Sequence, residues 1–353
     1  MAGGPALRGS PASWAGYRPS ALDRMVDAVA RLPAWPPLVY LALGAVVVVA
    51  LHAVRVIDGS LEPGTVSAAL FSFGTWGPLV LAAKALIRRT ARSSVDAFLP
   101  AFAGTAADAE AVRFRLMSQP ALGTWLAGLG FIAFAAPSTF LSEHYVATTG
   151  LFTSPSARAL ELPLLLLYLW MTGAAGYGIV HQLATVHSVY AHWTRVEVMR
   201  PDPLYALSRL TSYSAVAVQL VQCNWIAGNP AILRSPGALM NILAWDALAI
   251  VIFLWPLWGA HRMLADAKGR MTGELGVRVA QASADLRQAV DDGAMDRMAP
   301  LKDALLGLEA SLRVVERSST WPWQPETPRL VVSAVLLPLG AWLLQRLLDR
   351  VLL

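Results

Sequence analysis

Gly237-Ala238-Leu239-Met240-Asn241-Ile242-Leu243-Ala244-Trp245-Asp246-Ala247-Leu248-Ala249-Ile250-Val251-Ile252-Phe253-Leu254-Trp255-Pro256-Leu257-Trp258 decides the reading of this chain. It is about as long as a helix must be to cross a ~30 Å hydrocarbon layer, and its pattern does not stop at the membrane edge. The sequence runs on through His261 and Arg262 to Leu264, Met271, Leu275, Val279, Ala282, Leu286 and Val290, a slightly irregular helical stripe. Asp291-Asp292-Gly293 then reads as a turn. Beyond it Met298, Leu301, Leu305, Leu308, Leu312 and Val315 step by 3, 4, 3, 4 and 3, the spacing of a coiled-coil seam. From His261 to Val290 the arm would extend ~45 Å at 1.5 Å per residue. The chain returns through Trp321-Pro322-Trp323 to one last apolar stretch. Pro322, Pro325 and Pro328 stop helix continuation and favour extended backbone, and the tryptophans suit a headgroup layer, so a rigid return elbow is expected.

Composition widens this to the whole chain. Hydrophobic residues are 56% and charged residues 14%, whereas soluble domains are nearer half apolar and a quarter charged. The expected fold is all-α: a polytopic membrane helix bundle of about seven spans with a cytoplasmic antiparallel coiled-coil hairpin. The spans are expected near 36–54, 66–87, 120–141, 160–184, 207–227, 238–260 and 329–350. They divide the chain into an N-terminal tail with an amphipathic helix (1–32), a six-span bundle (33–260), the hairpin (261–317), and the elbow with span seven (318–353). Ser20 and Asp23 have capping-box spacing, and Leu22, Met25, Val26 and Val29 follow at helical intervals, which predicts an interfacial helix before span one. Cys223 is the single cysteine, so an intramolecular disulfide and a cysteine-built metal site are excluded.

Basic residues set the orientation. Placing the N-terminus inside puts 23 of the 28 on the cytoplasmic side, and omitting the nine in the hairpin leaves 14 against 5. The positive-inside rule therefore favours N-in, C-out in a cell (inner) membrane. Nine basic and nine acidic residues between His261 and Arg317 make a mixed-sign surface, which argues against nucleic-acid binding. The hairpin either packs on other helices of its own chain or docks a partner, in a homo-oligomer or with a cytoplasmic protein.

Asp246 is the sharpest site candidate. It lies nine residues into its segment, ~13 Å along the helix, where a carboxyl group is costly and faces a cavity or a partner. Gln219 falls at matching depth on span five, and Asn224 and Asn241 form a second candidate rung. Along span five Ser208, Ser212, Ala215, Gln219 and Gln222 share one face. Such a stripe reads either as a hydrated path or as hydrogen-bond glue between helices, worth about 0.6 kcal/mol per contact.

Span four carries Tyr177, His181 and His192 on one face. Two histidines three turns apart cannot bind one haem iron from opposite sides, so they read as polar groups at a helix end. Gly176-Tyr177-Gly178 lacks the Thr-Val lead of a potassium filter, and the small residues Gly173, Ala174, Gly176 and Gly178 suit close helix packing. No catalytic signature is present; neither an enzyme nor a cofactor is expected.

Asp202-Pro203-Leu204-Tyr205-Ala206-Leu207-Ser208-Arg209-Leu210-Thr211 and Thr320-Trp321-Pro322-Trp323-Gln324-Pro325-Glu326-Thr327 resemble motifs of uncharacterised prokaryotic multi-pass membrane proteins, a resemblance that implies no activity. The layout separately resembles the insect gustatory and odorant receptor channels, with seven spans, a cytoplasmic N-terminus, helices prolonged into a cytoplasmic anchor and a broken last helix. That likeness implies a tetrameric ligand-gated cation channel. The chain lacks the Thr-Tyr signature of their seventh helix and has only Gln345 near that place. The expectation is an oligomeric channel or transport-like protein with a polar path near spans five to seven. The alternative is a signalling or scaffolding protein that binds a partner through the hairpin.

Overall fold

A computed structural model describes residues 16–137, 141–195, 202–230, 233, 237–324 and 326–352. Residues 1–15 of the expected tail, Pro325 of the elbow and the side chain of Gln345 lie outside the described residues. The fold is all-helical: α1 (Ala21–Ala30), α2 (Pro36–Ile57), α3 (Ala68–Phe98), α4 (Ala106–Met117), α5 (Ala121–Ala135), α6 (Glu143–Thr149), α7 (Pro155–His192), α8 (Asp202–Gly228), α9 (Ala238–Asp291), α10 (Met295–Arg317) and α11 (Glu326–Leu352).

Among the described residues, five helices are long and apolar enough to cross a membrane: α2, α3, α7, α9 and α11. The chain is thus a multi-pass membrane protein. The other two expected spans differ for separate reasons. Helix α5 is apolar but closes at Ala135, six residues short of the expected end, and its 15 residues reach only ~22 Å. Helix α8 has 27 residues, but its serines, Gln219, Gln222 and Asn224 leave it below the apolarity of the five.

Helix α1 carries the expected capping box, with Ser20 Oγ accepting from Asp23 N and the Asp23 carboxylate from Ser20 N. It also packs on the bundle. Leu22, Asp23 and Val26 are buried, and Asp27 pairs with Arg88 of α3 at 2.7 Å, so the helix is docked on the bundle. Far from it in sequence, the end of α2 is tied to the start of α7. Arg55 Nε and Nη2 donate to the two oxygens of Glu161 at 2.8 and 3.1 Å, both side chains being buried. Arg55 also reaches Gly150 O and Thr153 Oγ1, while Phe152 N donates to Glu161. Beside this pair, Ser154, Ser60 and Ser156 hydroxyls donate to Asp58 and hold its carboxyl well below the usual carboxylate range.

Helix α9 runs unbroken for 54 residues through Pro256, ~80 Å at 1.5 Å per residue. Its buried stripe, Ile242, Asp246, Ala249, Phe253, Leu257, Ala260 and Leu264, follows helical spacing into the arm. Helix α10 packs back along it, and Lys268 Nζ donates to Glu316 O and Ser318 O at 2.6 and 2.9 Å, which fixes the two helices antiparallel. Seam residues Met271, Leu275, Leu286, Leu301 and Leu308 are only half-buried, because two helices cover a seam from one side. At the turn Val290 is exposed and Ala289 is buried instead: Ala294 N bonds to Ala289 O, and the small side chain permits that approach. The elbow is an aromatic pile. His261 stacks on Trp321 with centroids 4.0 Å apart, Trp321 on Trp323 at 4.3 Å, and Trp323 on Phe253 of α9 at 5.3 Å.

Candidate functional site

Helix α8 lies between α3 on one side and α9 with α11 on the other, which explains why its polar residues are sealed. Ser208, Ser212, Ala215, Gln219 and Gln222, the predicted stripe, are all at most 3% exposed. The structure brings Gln219 and Asp246 together: Gln219 Nε2 donates to Asp246 Oδ1 at 2.8 Å. It does not form the second rung. Asn224 turns to α3, where its Nδ2 donates to Ser72 O at 3.0 Å and its Oδ1 accepts from Thr75 Oγ1 at 2.9 Å, while Asn241 is exposed. Ser72 Oγ donates to Asn224 O, and an added Cβ on Gly228 would meet Ser72 Cβ at 2.2 Å, so α3 and α8 run in close contact there.

In this conformation the stripe is buried. Ser208 Oγ donates to Tyr205 O and Ser212 Oγ to Arg209 O, each hydroxyl being satisfied by its own helix. At the level of Asp246 the accounting changes. Asp246 Oδ2, Gln219 Oε1, Gln222 Oε1 and Gln222 Nε2 are buried and find no hydrogen-bond partner among the described residues. Each buried unpaired polar group costs about 1–3 kcal/mol. Gln219 and Gln222, three residues apart, are neighbours on the α8 surface. Three oxygens within one turn of α8, one of them the carboxylate oxygen of Asp246 beside Gln219, are therefore left as unused acceptors. Oxygen-only donors of this kind suit hard cations. Among the described residues no group of three or more His, Cys, Asp or Glu that could hold a metal ion occurs.

The secondary candidates lie elsewhere. His181 Nε2 is 3.2 Å from Tyr17 OH and its ring stacks on Tyr177. His192 is exposed at the end of α7, its Nδ1 bonded to Ser188 O at 3.2 Å. Neither histidine reaches Asp246.

Comparison with protein-family models, curated proteins and solved structures finds no match. The likeness to the insect receptor channels stays one of layout, and a shared layout does not establish function.

Besides the Arg55 to Glu161 pair, two features escaped the sequence reading. The first is a buried polar knot under α1. Lys84 Nζ of α3 stands 3.4 Å from Asp23 Oδ1 and donates to Gln119 Oε1 at 3.1 Å, and Gln119 N donates to Asp23 Oδ2 at 3.0 Å. Its sequence signal is slight: one lysine in an apolar run, and an aspartate already used in a capping box. The second is a cavity of about 510 Å³ between α3, α5, α7, α8 and α9. The small residues of α7 suit close packing, and only some of them are contact points. A Cβ on Gly173 would meet Phe131 Cβ at 2.5 Å and one on Gly178 would meet Gln119 Oε1 at 1.9 Å, but at Gly176 it would meet nothing within 4 Å. Gly178→Ala should thus destabilise the protein by about 1–3 kcal/mol through overpacking, read as a lower melting temperature in detergent. Gly176→Ala should leave it unchanged or raise it, since alanine is the better helix former.

Proposed function

We propose that the protein is a transport-like membrane protein whose site is the sealed polar layer of Asp246, Gln219 and Gln222, and that its ligand is an alkali-metal cation. The carrying observation is the set of buried oxygens without partners, which no packing role explains: glue requires the groups to be bonded to one another. In this reading the chain crosses the membrane seven times, N-in and C-out, the two further spans being α8, which is shielded by its neighbours, and the short apolar α5, whose outer face is exposed. The layer then sits near the midplane, where coupling-ion sites of transporters are found. Because the layer is occluded, the reading favours a carrier that opens its site over a continuously open pore. Helix α9 joins that site to the hairpin, so movement of the arm has a rigid route to Asp246.

The test is reconstitution into liposomes. A carrier gives alkali-cation uptake that saturates with concentration. Unsaturating flux with unitary current steps would overturn the carrier reading.

A second reading has its own observation. The hairpin seam is half-covered, and Val277 and Leu306 are exposed on its surface, which suits packing against a second copy, or against a cytoplasmic protein in a scaffolding or signalling role. If copies pair through the arm, Val277→Glu with Leu306→Glu will convert an oligomer in detergent to a folded monomer. An unchanged particle mass would exclude the arm as the contact.

A further inference from the structure

The cavity of about 510 Å³ is within the size range of small-molecule sites, and it is independent of the Asp246 layer, whose residues do not line it. Its α7 wall extends from Thr172 to Gln182, ~15 Å of helix, half the ~30 Å of a bilayer's hydrocarbon core and so the depth of one leaflet. The lining is mostly apolar: its polar residues are Thr172 and Gln182 at the two ends of the α7 wall, Tyr177 between them, and Lys84, whose ammonium stands part-way along, level with Ala174 and Gly178. Thr172 returns its hydroxyl to Tyr168 O, and Gln182 Nε2 is bonded to Leu116 O at 2.7 Å, which leaves the Lys84 ammonium as the charged group. An ammonium has three donors; Gln119 Oε1 takes one at 3.1 Å, and Asp23 Oδ1 stands 3.4 Å away as an ion pair. The rim residues Phe134, Val180 and Leu248 are exposed, so the cavity opens sideways toward lipid.

We infer that this cavity binds a single-chain lipid with an acidic head, the hydrocarbon tail lying along α7 and the carboxylate accepting a proton of Lys84 that Gln119 does not take. An apolar slot open to the bilayer, with a cation beside its wall, matches a fatty acid in polarity and charge. Gly130 and Gly176 keep the slot empty, since a Cβ at either meets nothing within 4 Å.

The test is photolabelling of the full-length protein in lipid nanodiscs with a diazirine derivative of palmitate, mapped by mass spectrometry. Labels should concentrate on α3, α5 and α7 beside the cavity. Gly176→Leu and Gly130→Leu, which add bulk where a Cβ has open space, should each lower that labelling at least fivefold, while Gly269→Leu on the arm leaves it intact. Palmitate should compete at least fivefold better than hexadecanol in the wild type, and Lys84→Gln should erase that preference while tail labelling persists. If Lys84→Gln does not fold, the acid-against-alcohol comparison in the wild type decides the head-group assignment. Labelling scattered evenly over lipid-facing residues and unmoved by Gly176→Leu would show ordinary surrounding lipid only and overturn the proposal.

Discussion

Arg55→Ala will lower the melting temperature of the detergent-solubilised protein by about 10 °C, the largest stability effect expected of a single substitution here. The guanidinium meets both oxygens of Glu161, Gly150 O and Thr153 Oγ1 in a buried setting. Its removal leaves a buried carboxylate whose remaining partner is the Phe152 amide. Breaking such a pair from one side costs about 3–5 kcal/mol, and in a chain of this size each kcal/mol corresponds to roughly 2–4 °C. Replacing both partners, as in Arg55→Met with Glu161→Met, removes the uncompensated charge and should recover most of the loss. A double variant as unstable as the single one would mean that the pair supplies geometry to the 150–154 loop, where Phe152 takes a left-handed conformation (φ 61°), beyond what its charges contribute.

Asp246→Asn will abolish alkali-cation uptake, by at least tenfold in proteoliposomes, without lowering stability. Asparagine keeps the shape and can still accept from Gln219 Nε2, while its amide nitrogen supplies a donor where Oδ2 now has no partner. Sites held unsatisfied for function often become more stable when neutralised, so the melting temperature should stay level or rise by a few degrees, at about 2–4 °C per kcal/mol. Loss of uptake together with a large drop in melting temperature would instead mark Asp246 as part of the packing of α8 on α9.

What the sequence made legible follows from periodicity. The α9 segment and its return helix were readable because apolar residues repeat at helical spacing over many turns, and the polar face of α8 for the same reason; every stripe position named on it is buried. The Gln219 to Asp246 contact was readable from depth, since α8 and α9 are joined by a short connection and run antiparallel. Asn224 went to Ser72 and Thr75 because α8 also packs along α3, some 150 residues away in sequence, and no periodic signal announces that neighbour. The same limit hid the Arg55 to Glu161 and Lys84 to Asp23 pairs. The cavity was hidden for a different reason: glycine allows close approach and open space equally, and only the direction each one faces on α7 separates Gly173 and Gly178 from Gly176. The polar residues that fill α8 leave it less apolar than its neighbours, yet its position between α3, α9 and α11 keeps that polar face away from lipid.

The central claim is that the unpaired oxygens of Asp246, Gln219 and Gln222 hold an alkali-metal cation. It is tested most directly by equilibrium binding of radiolabelled sodium to the purified protein. The wild type should bind saturably at one site per chain, Gln222→Leu should weaken binding at least tenfold, and Asp246→Asn should abolish it. A folded wild type with no saturable binding of sodium, potassium or lithium, or binding unchanged by Asp246→Asn, would contradict the account.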